Sequence, residues 1–205
     1  MKYKAVIFDL DGTLYDNRAL PLLVILHSRG RLALLKAERI SRRELAGRYF
    51  GQNGETLAEL MKLTADKSGY AVEDVEKWYN GTYLPLQAEL LGKGFRTKKG
   101  IVRTLGKLKS EGVKLACCSD YGGIREKLEA LKINPELFDI IIDSPSAGGC
   151  KPCPEALLHL ASMLGEQPQD ILVVGDRKDN DGQAAAGAGM EFLLVSKSNH
   201  KQIKL

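Results

Sequence analysis

Two carboxylates, Asp9 and Asp11, follow the apolar run Ala5-Val6-Ile7-Phe8 and precede Gly12-Thr13. If the run is a strand, both acids stand at its C-terminal end and can converge on one site. Like charges that close raise each other's pKa unless a cation lies between them. Gly12 lets the backbone approach an anion, and Thr13 adds a hydroxyl donor. A metal ligand, a nucleophile, an acid/base partner and an anion cradle all fit between Asp9 and Thr13.

Three further strand ends carry chemistry. The run Leu115-Ala116-Cys117-Cys118 ends in Ser119-Asp120, where a hydroxyl and exposed backbone amides would make an anion-binding turn. Lys151-Pro152 precedes a helix opened by Pro154. A lysine at such a helix start can offset the charge of a phosphoryl group and of two acids. The run Ile171-Leu172-Val173-Val174 ends in Gly175-Asp176-Arg177-Lys178-Asp179-Asn180-Asp181. An acidic cluster at a strand end suits a hard cation. Its acids are Asp176, Asp179 and Asp181.

The elements needed to position these residues are legible as hydrophobic patterns. Five short apolar runs read as buried strands: 5–8, 113–118, 140–142, 171–174 and 192–195. They are continuously apolar, as a parallel sheet covered on both faces requires. Helical periodicity lies between them, as in Ile101, Leu105 and Leu108, in Ile124, Leu128 and Leu131, and in Leu157, Leu160, Ala161 and Leu164. Alternation of this kind implies a doubly wound α/β core with a five-stranded parallel sheet. The first crossover breaks the rhythm, because about a hundred residues separate Phe8 from Val113, far more than a crossover helix needs. Four helical patterns fill that interval, over 20–26, 32–46, 57–64 and 74–79. The expected organisation is a core of residues 1–15 and 93–205 with a helical insert of residues 16–92. The insert would sit over the acids and hinge near Tyr15-Asp16 and Gly92-Lys93-Gly94.

The segment Asp9-Leu10-Asp11-Gly12-Thr13-Leu14 resembles the first motif of the haloacid dehalogenase superfamily, DxDGTL. Ser119, Lys151-Pro152 and the Asp176–Asp181 run are similar to its second, third and fourth motifs, in the right order. The resemblance implies a Rossmann-like core with a helical C1 cap, of the phosphoglycolate phosphatase and β-phosphoglucomutase type. It implies a Mg²⁺ held by the Asp9 carboxylate, the Asp11 backbone carbonyl and Asp176. It implies that Asp9 attacks phosphorus while Asp11 serves as acid and then base. Gly12, Thr13, Ser119, Asp120 and Lys151 would bind the phosphoryl oxygens, with Asp179 and Asp181 behind the metal. In the insert, Arg48, Gln52 and Asn53 would contact the substrate. An acid at position 11 together with Asp176 favours phosphoryl transfer over carbon–halogen cleavage. The expected activity is hydrolysis of a small phosphorylated metabolite. A phosphomutase, or a catalytically weak regulatory member, is the alternative.

Composition narrows the rest. The 205 residues are 44% hydrophobic and 27% charged, as in a water-soluble globular protein. The uncharged stretch Ala19-Leu20-Pro21-Leu22-Leu23-Val24-Ile25-Leu26-His27-Ser28 is too short for a bilayer span, so no membrane association and a cytoplasmic location are expected. Net charge is +4, and basic residues cluster at Arg29, Arg31, Lys36, Arg39, Arg42, Arg43 and Arg48. They read as solvated helix faces or as a field that draws in an anionic substrate. Nucleic acid is an unlikely partner, since no aromatic residues interleave with the basic ones. A monomer or homodimer is expected. Cys117, Cys118, Cys150 and Cys153 could form a zinc or redox site, but a vicinal pair in a strand points to opposite faces.

Overall fold

The computed structural model describes residues 2–28, 30–51 and 54–195. Five strands, β1 (Ala5–Phe8), β2 (Lys114–Ser119), β3 (Ile140–Asp143), β4 (Ile171–Gly175) and β5 (Glu191–Leu194), form one parallel sheet in the order β3-β2-β1-β4-β5. The order reverses at β1, so the C-terminal ends of β1, β2 and β4 enclose a crevice, the usual place for a ligand in an open α/β sheet.

The pleat sorts each central strand between two cores. Val6, Phe8, Leu115, Cys117, Leu172 and Val174 face one apolar cluster; Ala5, Ile7, Ala116, Cys118, Ile171 and Val173 face the other. On the first face lie α6 (Ile101–Ser110) and α7 (Ile124–Ala130); on the second lie α8 (Glu155–Leu164) and α9 (Gln183–Gly187). The edge strands depart from the expectation of five buried runs: β3 is half-buried along its length, and both ends of β5 are exposed. An edge strand has a neighbour on one side only, so its continuous apolar sequence overstates its burial. Cys117 and Cys118 separate onto the two faces, and all four cysteines are free and buried.

Between β1 and β2 the chain forms α1 (Leu20–His27), α2 (Leu32–Leu45), α3 (Glu55–Ser68), α4 (Val72–Trp78) and α5 (Leu84–Gly94). The last two are joined by one π-helical turn, Tyr79–Tyr83. Pro85 lacks the N–H that would continue the ladder there, so the turn widens without ending the helix. The buried residues of this segment, among them Val24, Leu34, Leu45, Leu60, Trp78 and Leu91, join the same cluster as the sheet face. The insert thus shares its apolar core with the sheet. Gly92-Lys93-Gly94, expected as a hinge, occupies the last turn of α5, which packs along α7. The two crossings between insert and sheet instead lie side by side, where Tyr15 bridges Thr97 and the Lys98 amide donates to the Leu14 carbonyl over 2.8 Å.

Candidate active site

The crevice gathers the expected residues from four strand ends. Asp9 leaves β1 fully within the fold, and its Oδ2 accepts from the Thr13 hydroxyl over 2.7 Å. Its Oδ1 accepts from Lys151 Nζ over 2.9 Å, and the same ammonium donates to Asp181 Oδ1 over 2.6 Å. Lys151 is 4% exposed, so its charge is neutralised by two carboxylates inside the protein and not by water. Burial disfavours its charge, yet Asp9, Asp120 and Asp181 outweigh this and hold its pKa well above the ordinary lysine value.

Two glycines make the close approaches possible. Gly12 has φ +98°, and a Cβ there would lie 2.2 Å from Asp176 Oδ2. Gly175 ends β4 with no side chain, where a Cβ would lie 2.5 Å from Asp181 Cβ. Both acids of the β4 loop therefore reach the crevice only because glycines vacate the space. Carboxylate oxygens of Asp9, Asp176 and Asp181 come within 4.8 Å of one another, the spacing of a shared cation. Burial raises Asp9 to about 7, with Lys151 opposing the shift and Asp181 adding to it. Burial and Asp181 raise Asp176 likewise. Three crowded carboxylates facing one lysine have a deficit of positive charge, and that donor set fits a hard divalent ion.

Asp11 sits in a different environment. Its Oδ2 accepts from Ser119 Oγ over 2.8 Å and from Lys127 Nζ over 3.4 Å, and its Oδ1 accepts from the Tyr15 hydroxyl. Burial opposes its ionisation, but Lys127 and the Tyr15 and Ser119 hydrogen bonds prevail and hold its pKa below the usual carboxylate range. Lys127 is fully buried and was not anticipated from sequence. Its signal was present, since it falls on the apolar face of α7 defined by Ile124, Leu128 and Leu131.

Several expectations need correction. Asp179 is exposed and paired with Arg177 at 2.7 Å, whereas Asp181 is buried in the crevice, so of the two only Asp181 reaches Lys151. The loop turns through a π-helical segment, Lys178–Gly182, which swings position 181 inward. The Asp120 carboxylate is taken up by other groups of the protein. It accepts from the Lys151 amide (3.2 Å), from Asn180 Nδ2 (3.0 Å) and from the Ser144 hydroxyl, tying three loops together. Arg42, grouped from sequence with solvated bases, is buried in α2 against Glu38, with Nε to Oε1 at 2.8 Å. Its guanidinium also donates to the Asp120 carbonyl and lies 4.3 Å over the Tyr121 ring, joining insert to sheet. Arg48 is exposed and stacks over Phe50 at 5.0 Å rather than reaching the crevice acids. Its neighbours do dock beside the site: Ala46 bridges Cys150, Tyr49 bridges Gly149, and the Thr56 hydroxyl donates to the Gly148 carbonyl over 2.6 Å. Gln52 and Asn53 lie outside the described residues.

Known proteins share this architecture and sequence. The phosphoglycolate phosphatase of Nitrosospira multiformis is 32% identical over 199 residues, covering 94% of this chain and 82% of that protein. The glyceraldehyde 3-phosphate phosphatase of Methanocaldococcus jannaschii is 26% identical over 98% of this chain and 88% of its own length. Among solved structures, β-phosphoglucomutase from Clostridium difficile aligns with a TM-score of 0.69 at 22% identity, covering 98% of this chain and 94% of that one. The L-2-haloacid dehalogenase of Xanthobacter autotrophicus aligns with a TM-score of 0.61 at 20% identity, covering 94% and 77%. The family model for haloacid dehalogenase-like hydrolases matches residues 3–189. With the strand-end acids, the lysine and the sheet order in place, the chain belongs to the haloacid dehalogenase-like hydrolase family.

Proposed function

We infer that the protein is a phosphatase that hydrolyses phosphomonoesters through an aspartyl-phosphate on Asp9. One observation carries the reading: Asp9 shares a buried lysine and a three-carboxylate cluster, while a second acid, Asp11, stands two residues away in its own hydrogen-bonded niche. Curated relatives that cover most of the chain are phosphatases, which supports the same activity.

The residues divide the work. Asp9 Oδ1 or Oδ2 attacks phosphorus and displaces the alcohol. Lys151, already hydrogen-bonded to Asp9, lies beside the transferring oxygens and offsets their charge. Ser119 Oγ and the Gly12 amide supply hydrogen bonds to those oxygens, and Thr13 holds the nucleophile's orientation. Asp11 must carry a proton to the leaving oxygen. A phosphoryl dianion beside it, and the turning of Ser119 from Asp11 towards phosphate, both increase its proton affinity. Returned to its ionised form, stabilised by Lys127 and Tyr15, Asp11 takes a proton from the hydrolytic water. Asp9, Asp176 and the Asp11 carbonyl would hold Mg²⁺, with Asp181 shared between the ion and Lys151. Bound there, Mg²⁺ supplies the positive charge that keeps Asp9 ionised at neutral pH.

The insert over the crevice acts as the cap of residues 16–92, excluding water and meeting the leaving group. No helix among the described residues is long and apolar enough to cross a membrane, and we place the enzyme in the cytoplasm as a monomer or homodimer. The test is release of inorganic phosphate from p-nitrophenyl phosphate and from a panel of phosphorylated metabolites. Activity should require Mg²⁺ and fall with EDTA. Full turnover in metal-free buffer, or transfer of phosphate between positions of the substrate without release, would overturn the reading.

A further inference from the structure

Above Asp11 the insert forms a cavity of about 800 Å³ that opens to solvent on the side of Lys36, Arg39 and Arg43. Asp11 and Tyr121 line it from the sheet side, and α1, α2 and α5 form the rest. A pocket of that size lies in the range that takes drug-sized ligands, about 300–1,000 Å³. A two- or three-carbon ester would leave most of it filled with water against apolar walls. Those walls include Leu20, Val24 and Leu35, which favour an apolar occupant over water.

One wall is charged in a regular way. Lys36, Arg39 and Arg43 recur at i, i+3 and i+7 on α2, so they form one stripe along the helix. The stripe spans about 10 Å of helix, at 1.5 Å per residue, which exceeds the reach of a single phosphate. None of the three forms an ion pair among the described residues, while Glu38, the acid on the same wall, is committed to Arg42. The cavity is thus apolar in body, cationic on one side, and open at its base to the proposed general acid.

We propose that this cavity receives the leaving group and selects a phosphomonoester whose alcohol carries a bulky apolar body and a second anionic group. The inference rests on the phosphatase reading and deepens it. A leaving oxygen delivered to Asp11 places the rest of the alcohol among Leu20, Val24 and Leu35. An anionic substituent on that body meets the α2 stripe.

Three aryl esters with similar leaving-group acidity test this: phenyl phosphate, 2-naphthyl phosphate and 6-carboxy-2-naphthyl phosphate. The expected order of kcat/KM is carboxynaphthyl above naphthyl above phenyl, spanning at least about tenfold and carried mainly by KM. Leu35→Trp, which fills the cavity, should compress the naphthyl-to-phenyl ratio several-fold. Arg39→Glu should erase the preference for the carboxylate, and Leu22→Trp, on an exposed residue outside the cavity, should leave both ratios in place. Phenyl phosphate turned over as well as both naphthyl esters, or equal rates with and without the carboxylate, would overturn the proposal. Hydrolysis of no ester at all would overturn the phosphatase reading instead. In that case calorimetry with 6-carboxy-2-naphthylphosphonate would still judge the cavity, with binding no tighter than phenylphosphonate counting against it.

Discussion

The crevice at the strand ends and the cavity above it are built on opposite principles. In the crevice the buried lysines have fixed partners: Lys151 with Asp9 and Asp181, Lys127 with Asp11. In the cavity Lys36, Arg39 and Arg43 have no ion pair among the described residues, and about half of the remaining lining is aliphatic. Chemistry on a phosphoryl group needs charges held at fixed distances before substrate arrives, because reorganising them during the reaction would add to the barrier. Recognition of a leaving group needs volume and a field, which unpaired side chains on a helix face supply. The difference implies that substitutions below should change the rate for every ester, and substitutions above should change the ranking among esters.

The sharpest break of this contrast is Asp9→Asn. It should abolish phosphate release for all esters, by at least about 10⁴-fold, with the fold retained. Appreciable turnover in that variant would move the nucleophile elsewhere. Lys151→Met comes next. It should lower kcat by on the order of 10²–10³-fold. It should also lower stability in EDTA by about 3 kcal/mol, because two buried carboxylates lose their cation, and added Mg²⁺ should restore part of that loss. Denaturant titration with and without Mg²⁺ reads both effects; equal stability in the two buffers would remove the case for a cation at Asp9, Asp176 and Asp181. Lys127→Met should reduce kcat by about tenfold or more with little change in KM, since it withdraws the charge that holds Asp11 in place without touching the phosphate site. A rise in KM alone would place Lys127 in substrate binding. Asp179→Asn should change activity by less than about twofold and stability by less than about 0.5 kcal/mol, as its pair with Arg177 is exposed. A loss comparable to that of Asp181→Asn would reinstate it as a member of the site.

Much of the crevice was legible because strand-end chemistry is local. The apolar runs fixed where β1, β2 and β4 stop, and Asp9, Asp11, Ser119 and Asp176 are the residues that follow or close them. Four of the insert's five helices were legible for the same reason, down to α2 beginning at Leu32, whereas α5 over Leu84–Gly94 was not. Where the reading slipped, a neighbour was the cause. Edge strands β3 and β5 are less buried than their apolar runs predict, because a short run carries no record of how many strands flank it. The end of α5 was read as a hinge because two glycines suggested freedom, yet packing against α7 keeps them helical.

The sequence by itself determined the alternation of strands and helices, the long excursion between β1 and β2, and the acids at the crevice, since periodicity and strand-end position depend on residues a few places apart. Only the tertiary structure decided that Asp181 turns in while Asp179 turns out, that Lys127 and Arg42 are interior charges, and that the insert leaves a large cavity above Asp11. The contacts that fix them join residues far apart in the chain. Lys151 meets Asp9 across 142 positions and Lys127 meets Asp11 across 116. Such distances are set by how the layers pack, and packing is a property of all the side chains at once.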